Sequence, residues 1–125
     1  MTLGPKQRIW VDALRSGEYK QGDGCLFDPE TQSYCCLGVA NCVLELGEGD
    51  EHVLEYTYQQ LGLRGQSGAI VGLSLEAFKE LHDLPAGYDP TFTIELTALN
   101  DRGWSFSKIA DLIEQHPHWV FERSV

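Results

Sequence analysis

The sequence predicts an α+β fold, a helix-rich single domain over residues 1–125 with a short β-hairpin or small antiparallel sheet. Three observations predict it. The chain has 125 residues, of which 42% are hydrophobic and 10% aromatic, enough for one core and too few for two. Apolar residues recur at helical spacing near both ends of the chain. Between residues 25 and 35, two short apolar runs flank a turn-forming Asp28-Pro29 segment, the pattern of a hairpin.

Each element follows from local chemistry. Pro5 suits a first helical turn, where its missing N–H costs nothing. Ile9, Trp10, Ala13 and Leu14 form a stripe at spacings of three and four, so Lys6 to Ser16 reads as a helix stopped by Gly17. Residues 17–24 carry three glycines, which lets the backbone approach a neighbour closely. Cys25 to Phe27 and Ser33 to Cys35 are the hairpin arms. The run Cys35 to Ala40 passes from strand into helix, with Cys36, Val39, Ala40, Val43 and Leu44 on one stripe and Gly47 as its end. Val53 to Tyr58 is rich in β-formers, and residues 59–63 suit a short helical turn. Residues 69–71 suit a short strand, and Ser74 caps a helix through Leu81. Residues 85–90 form a loop. Thr91 to Leu99 fits a strand or a helix. Ser105 is an N-cap for the final helix, whose Phe106, Ile109, Ala110 and Ile113 fall at i, i+3, i+4 and i+7. That helix is expected to pack on the first, through Phe106 and Ile109 against Trp10 and Leu14. The packing would bring the Asn100-Asp101 turn to the glycine-rich loop.

Charge narrows the function. Nine basic and nineteen acidic residues give −10, which opposes binding to nucleic acid or anionic membrane. Mean hydropathy is −0.24, and no apolar run approaches the roughly 20 residues of a membrane span. The first residues lack the pattern of a secretory signal, so a cytoplasmic location is expected. The balance is uneven. Residues 1–22 carry Lys6, Arg8, Arg15 and Lys20 against Asp12 and Glu18, while Glu45, Glu48, Asp50, Glu51 and Glu55 form the densest acidic cluster. The first stretch suits a small anion. The second suits a solvated surface or an imitation of DNA phosphates.

Neither metal nor cofactor is expected. Cys25, Cys35, Cys36 and Cys42 match no zinc spacing and read as reduced, buried thiols. Adjacent Cys35 and Cys36 would point to opposite sides of a strand. His116 and His118 read as helix C-terminal residues, where an imidazolium sits well against the dipole. There is no Walker or Rossmann glycine loop and no Gly-x-Ser-x-Gly elbow, and Asn100-Asp101-Arg102-Gly103 reads as a turn before a helix. The balance leans toward binding rather than catalysis.

Three blocks carry a resemblance. They are Trp10-Val-Asp-Ala-Leu-Arg-Ser-Gly-Glu-Tyr-Lys-Gln-Gly22, Tyr34-Cys-Cys-Leu-Gly-Val39, and Leu96-Thr-Ala-Leu-Asn-Asp101 with Ser105-Phe-Ser-Lys-Ile-Ala-Asp-Leu-Ile-Glu114. In this order they resemble a family of small proteins of phages and prophages with no established chemistry. Residues 44–92 match no pattern of that family. The resemblance implies a phage setting rather than a reaction; small phage proteins often counter bacterial defence, and one known class does so by sequestering a nucleotide-derived signal without cleaving it.

In that setting the expected protein is non-enzymatic and holds a small anionic nucleotide-like ligand, with a homo-oligomer allowed for. Arg15 would fork onto phosphate, and Tyr19 or Trp10 would stack on a base; the plain alternative for the same block is that Trp10 and Leu14 are core, Arg15 is a partner of the helix C-terminal dipole and the glycines make a turn. Gln21 would read a base or ribose edge, and Gly22 would present its N–H. Tyr34, Asn100, Asp101 and Trp104 would complete the site. Two alternatives stand beside it: an acidic inhibitor or DNA mimic docking on a host defence protein, and a small hydrolase of a nucleotide signal centred on Cys36 or an Asp/His pair.

Overall fold

The structure is a computed structural model that describes residues 2–24, 26–45, 51–64, 69–70, 94–101 and 103–125. Helix α1 spans Pro5–Arg15 and is followed by three two-residue strands, β1 (Lys20–Gln21), β2 (Phe27–Asp28) and β3 (Ser33–Tyr34). Helices α2 (Cys36–Val43) and α3 (Glu51–Leu61) come next, then strands β4 (Ala69–Ile70) and β5 (Ile94–Glu95). Helices α4 (Leu96–Asp101), α5 (Phe106–Gln115) and α6 (Pro117–Val120) complete the chain. The architecture is the expected helix-rich α+β type. No described helix is long and apolar enough to cross a membrane. The helix expected at 74–81 and the loop at 85–90 lie outside the described residues, as do Cys25 and Gly47.

The hairpin forms between β2 and β3, antiparallel, with Phe27 opposite Tyr34 and Asp28 opposite Ser33. The sheet is mixed rather than wholly antiparallel. Strand β1 joins the other edge of β3 in parallel, pairing Lys20 with Ser33 and Gln21 with Tyr34. A second ladder pairs β4 with β5, antiparallel. Of the segment 91–99, which fits a strand or a helix, the described residues 94–99 use both, β5 running straight into α4.

Helix α1 buries Trp10, Val11, Ala13 and Leu14, with Gly17 at φ +76° just beyond its end. Its stripe is rotated from the expected one. Ile9 is 45% exposed, and Gln7 is fully buried in its stead. A glutamine is tolerated there because its amide is satisfied. Nε2 donates to the carbonyls of Leu61 (2.8 Å) and Arg123 (2.7 Å), and Oε1 accepts from Gly4 N (2.9 Å). Gln7 thereby ties α1 to the end of α3 and to the last residues of the chain. Nearby, Leu63 bridges Phe121, and Arg64 N donates to Val120 O at 2.8 Å.

Residues 53–58, rich in β-formers, belong to helix α3. Among its described side chains Thr57, Tyr58 and Leu61 are buried, spaced as one helical face, so burial on the core overrides strand propensity. Cys35 is no strand residue but the N-cap of α2, its Sγ accepting from Gly38 N at 3.4 Å, while Cys36 opens the helix. Both thiols are buried on the same core. Ser105 caps α5 as expected, accepting from Lys108 N at 3.1 Å.

Helices α1 and α5 pack together, and α1 also packs on α2. The core joins Trp10, Val11 and Leu14 to Leu37, Val39, Leu96, Leu99, Ile109, Ile113 and Phe121. Trp10 meets Phe121 edge to face at 6.1 Å. His116 lies flat on Trp119, with centroids 3.5 Å apart and planes at 8°. Burial first, and His118 second, push the His116 pKa down, which favours neutral imidazole. The expected imidazolium at the helix end is thus replaced by an aromatic stack.

Candidate functional site

Asn100 sits at the end of α4 and is only 3% exposed. Its Oδ1 accepts from Cys36 N (3.2 Å), the first amide of α2, and from Gln21 Nε2 (3.0 Å). Its Nδ2 donates to Gly22 O (2.8 Å) and to Asp101 Oδ1 (3.3 Å). Gln21 extends the network. Its Nε2 also donates to Trp104 O (2.6 Å), and its Oε1 accepts from Phe106 N (3.1 Å), the first amide of α5. Two side-chain amides therefore satisfy orphan donors at two helix N-termini and pin β1 to α2, α4 and α5. Asp101 Oδ1 adds a bond from Gly24 N at 3.2 Å, closing the glycine-rich loop onto α4. The loop meets Asn100 and Asp101 as the sequence suggested, but these two residues close helix α4 rather than forming the expected turn.

Above this network lies an open cleft of about 480 Å³. One wall is the face of the sheet carrying Lys20, Ser33 and Asp28, which stand in register across β1, β3 and β2. The glycine-rich loop contributes Gly22 and Asp23, and the α4 side contributes Asn100, Asp101 and Gly103. Thr31 at the hairpin turn completes the lining, its hydroxyl hydrogen-bonded to that of Ser33 at 2.6 Å. Gly22 permits the close crossing here, since a Cβ on it would stand 2.3 Å from Ser33 Oγ. Among the described lining residues the charges are Lys20 against Asp23, Asp28 and Asp101. The field is thus acidic overall, with one cation for an anionic group.

The expected site residues divide. Gln21, Gly22, Asn100 and Asp101 converge on the cleft. Trp10 does not serve as a stacking platform, because it is fully buried and its Nε1 donates to Cys36 O at 2.9 Å. Arg15 does not grip phosphate in the cleft. Its guanidinium bonds Asp111 (2.7 Å) and Glu114 (2.5 Å) on α5. Those partners hold the Arg15 pKa above its ordinary value, the Asp111 bond contributing most. Arg8 takes the other Glu114 oxygen at 2.5 Å. With both oxygens held, first by Arg8 and then by Arg15, Glu114 sits below the usual carboxylate range. Tyr19 packs edge to face on Tyr34 at 5.4 Å, and Phe27 lies 4.8 Å from Tyr34, so the sheet's aromatics pack on one another. Burial, more than any neighbour, raises the pKa of both phenols, which therefore stay protonated. Trp104 is 6% exposed and carries Lys108 Nζ over its ring at 4.4 Å.

Lys20, Asp23, Asp28, Thr31, Ser33 and Gly103 are the lining residues that sequence reasoning missed. The alternation of Phe27/Asp28 and Ser33/Tyr34 marks which hairpin residues share a face. Only the parallel docking of β1 adds Lys20 to that row. Among the described residues no group of three or more His, Cys, Asp or Glu side chains is placed to hold a metal ion. Cys36 is unsuited to nucleophilic attack. It is fully buried, its Sγ donates to Leu96 O at 3.8 Å, and burial pushes its thiol far above the ordinary range.

Fold and site together define a helix-rich α+β domain with a preformed polar cleft. Residues 5–66 match a family model described as a domain of unknown function (DUF8296). The match covers α1 to α3 and the sheet wall of the cleft, and it stops short of α4. No curated protein and no solved structure matches the chain.

Proposed function

We propose that the protein is a non-enzymatic binding module that takes a small nucleotide-like molecule into the cleft between the β1–β3 sheet and α4. In the phage setting that its sequence blocks imply, it withholds a nucleotide-derived signal from a bacterial defence system. The observation that carries the reading is the convergence of one lysine, three carboxylates and a serine on a cleft whose floor is already locked by Asn100 and Gln21. A floor with its hydrogen bonds made needs little reordering on binding, so less binding energy is lost to ordering the site. The residues assigned to the guest are Lys20, Asp23, Asp28, Ser33 and Asp101, with Gln21, Gly22 and Asn100 shaping the floor.

The test is calorimetry at low salt with a panel of mononucleotides, cyclic dinucleotides and cyclic ADP-ribose derivatives. Saturable binding of one of them is expected, weakened about tenfold or more by Lys20→Ala, the loss of one charge-assisted hydrogen bond. Ligand recovered chemically intact after denaturation separates holding from cleavage. Binding that ignores Lys20→Ala, or a ligand returned as product, overturns the reading.

A further inference from the structure

Resting on that reading, we infer that the cleft recognises a sugar–phosphate unit, a furanose with a vicinal diol and a single phosphate, and leaves the base unread. The row Lys20, Ser33 and Asp28 crosses three strands. Two strand spacings make it about 10 Å long, the scale of a pentose monophosphate with the side chains that reach it. A cation stands at one end of the row and a carboxylate at the other. Asp28 Oδ1 already accepts from Glu30 N (2.9 Å), and Asp101 Oδ1, on the opposite wall, from Gly24 N (3.2 Å) and Asn100 Nδ2 (3.3 Å), so it is the second oxygen of each carboxylate, an acceptor only, that adjacent hydroxyls would meet.

The same charges set the limit on anions. Lys20 compensates one phosphate, whereas a second would face Asp23, Asp28 and Asp101. Base recognition by stacking needs an aromatic or guanidinium plane. Among the described lining residues there is none. Tyr19, Tyr34 and Phe27 pack on one another beside the other row of the sheet, and the Arg15 guanidinium is held by Asp111 and Glu114. A sugar–phosphate unit occurs in a nucleotide and in a free sugar phosphate, and the cleft chemistry is shared by both.

The experiment is calorimetry with adenosine 5′-monophosphate, ribose 5-phosphate, 2′,3′-dideoxyadenosine monophosphate and adenosine diphosphate. It uses the full chain, the exposed-lip variant Thr31→Trp, which fills the cleft mouth, and the double variant Asp28→Asn/Asp101→Asn. Adenosine monophosphate and ribose 5-phosphate are expected within about tenfold of each other. Removing the diol is expected to weaken binding about tenfold or more, one charge-assisted hydrogen bond or better. The diphosphate is expected to bind more weakly than the monophosphate, with the gap narrowed in the double variant. Thr31→Trp should abolish binding of all four. Ribose 5-phosphate bound while the nucleotide is excluded overturns both, since the base then decides entry and the guest is no nucleotide. A nucleotide bound and lost on Thr31→Trp, with ribose 5-phosphate ignored or the diphosphate preferred, overturns the inference and leaves the binding cleft standing. No binding by any probe, or binding indifferent to Thr31→Trp, overturns both.

Discussion

Gly38 stands in the first turn of α2, where the helix crosses the start of the hairpin. A Cβ placed on it would lie 1.8 Å from the carbonyl oxygen of Leu26 and 2.7 Å from its carbon. Cβ contacts below 3.0 Å are essentially never seen, and the obstacle is backbone, so rotamer change brings no relief. In Gly38→Ala the oxygen must retreat by about 1.2 Å or more, which breaks the bond from Cys35 N (3.3 Å) that it accepts. The lost bond costs about 1 kcal/mol and the overpacking about 1–3 kcal/mol. Against this, alanine in a helix is favoured over glycine by about 1 kcal/mol. The net is a loss of about 1–3 kcal/mol, a fall in Tm of roughly 4–12 °C for a chain of this length. Thermal unfolding followed by circular dichroism measures it, with guanidinium titration as a check on the slope. The sign is decisive. Helix propensity alone makes the variant more stable, so an unchanged or raised Tm would refute the close crossing of α2 over Leu26.

Asn100→Leu keeps the branching and number of side-chain heavy atoms, in a somewhat larger volume, and removes every side-chain bond of the hub, leaving Cys36 N and Gly22 O without it. A loss of about 2–4 kcal/mol is expected in denaturant titration, and a loss under 1 kcal/mol would deny the hub its role. Arg15→Ala breaks exposed ion pairs on α5, so urea titration should show at most about 1 kcal/mol, shrinking further in salt. Larger losses at high salt would contradict the surface assignment. Acid should destabilise the fold in two steps. His116 has its folded pKa depressed below the ordinary 6.5, so its contribution is present above that pH and is lost as pH falls toward the folded value. Glu114 is likewise depressed below 4.5, so its contribution is lost as pH falls through the carboxylate range. Tm against pH for the wild type, Trp119→Leu and Glu114→Gln assigns the steps, and a flat profile between pH 7 and 3 contradicts both. Among Cys35, Cys36 and Cys42, only the exposed Cys42 should react promptly with a thiol reagent in the folded state, as mass spectrometry of labelled peptides would show.

Helices α1 and α5 were legible because their apolar spacing, with Pro5 and Ser105 at their starts, is a local signal. The hairpin was legible because Asp28-Pro29 turns the chain between alternating residues. Helix α3 was not, because Val53, Tyr56 and Tyr58 favour strands in isolation and only burial of Thr57, Tyr58 and Leu61 makes the helix worthwhile. The stripe of α1 was misread at one position for a related reason. A glutamine looks solvated until distant carbonyls, those of Leu61 and Arg123, satisfy it.

The site shows the same division. Composition marked Gln21, Gly22, Asn100 and Asp101 as a polar group with backbone freedom beside it, and they do meet. Arg15 and Trp10 looked like ligand contacts because charge and aromaticity are the residue types that grip nucleotides. The same types also build ion pairs and cores, and sequence spacing does not separate those uses. By itself the sequence determined the helix-rich α+β class, the hairpin and the Ser105 cap, since each depends on neighbours a few residues away. The tertiary structure decided that β1 lies parallel to β3, that Arg15 turns to α5, and that Lys20 shares a face with Ser33 and Asp28. These are contacts between residues far apart in the chain, whose energies depend on which surfaces are buried together.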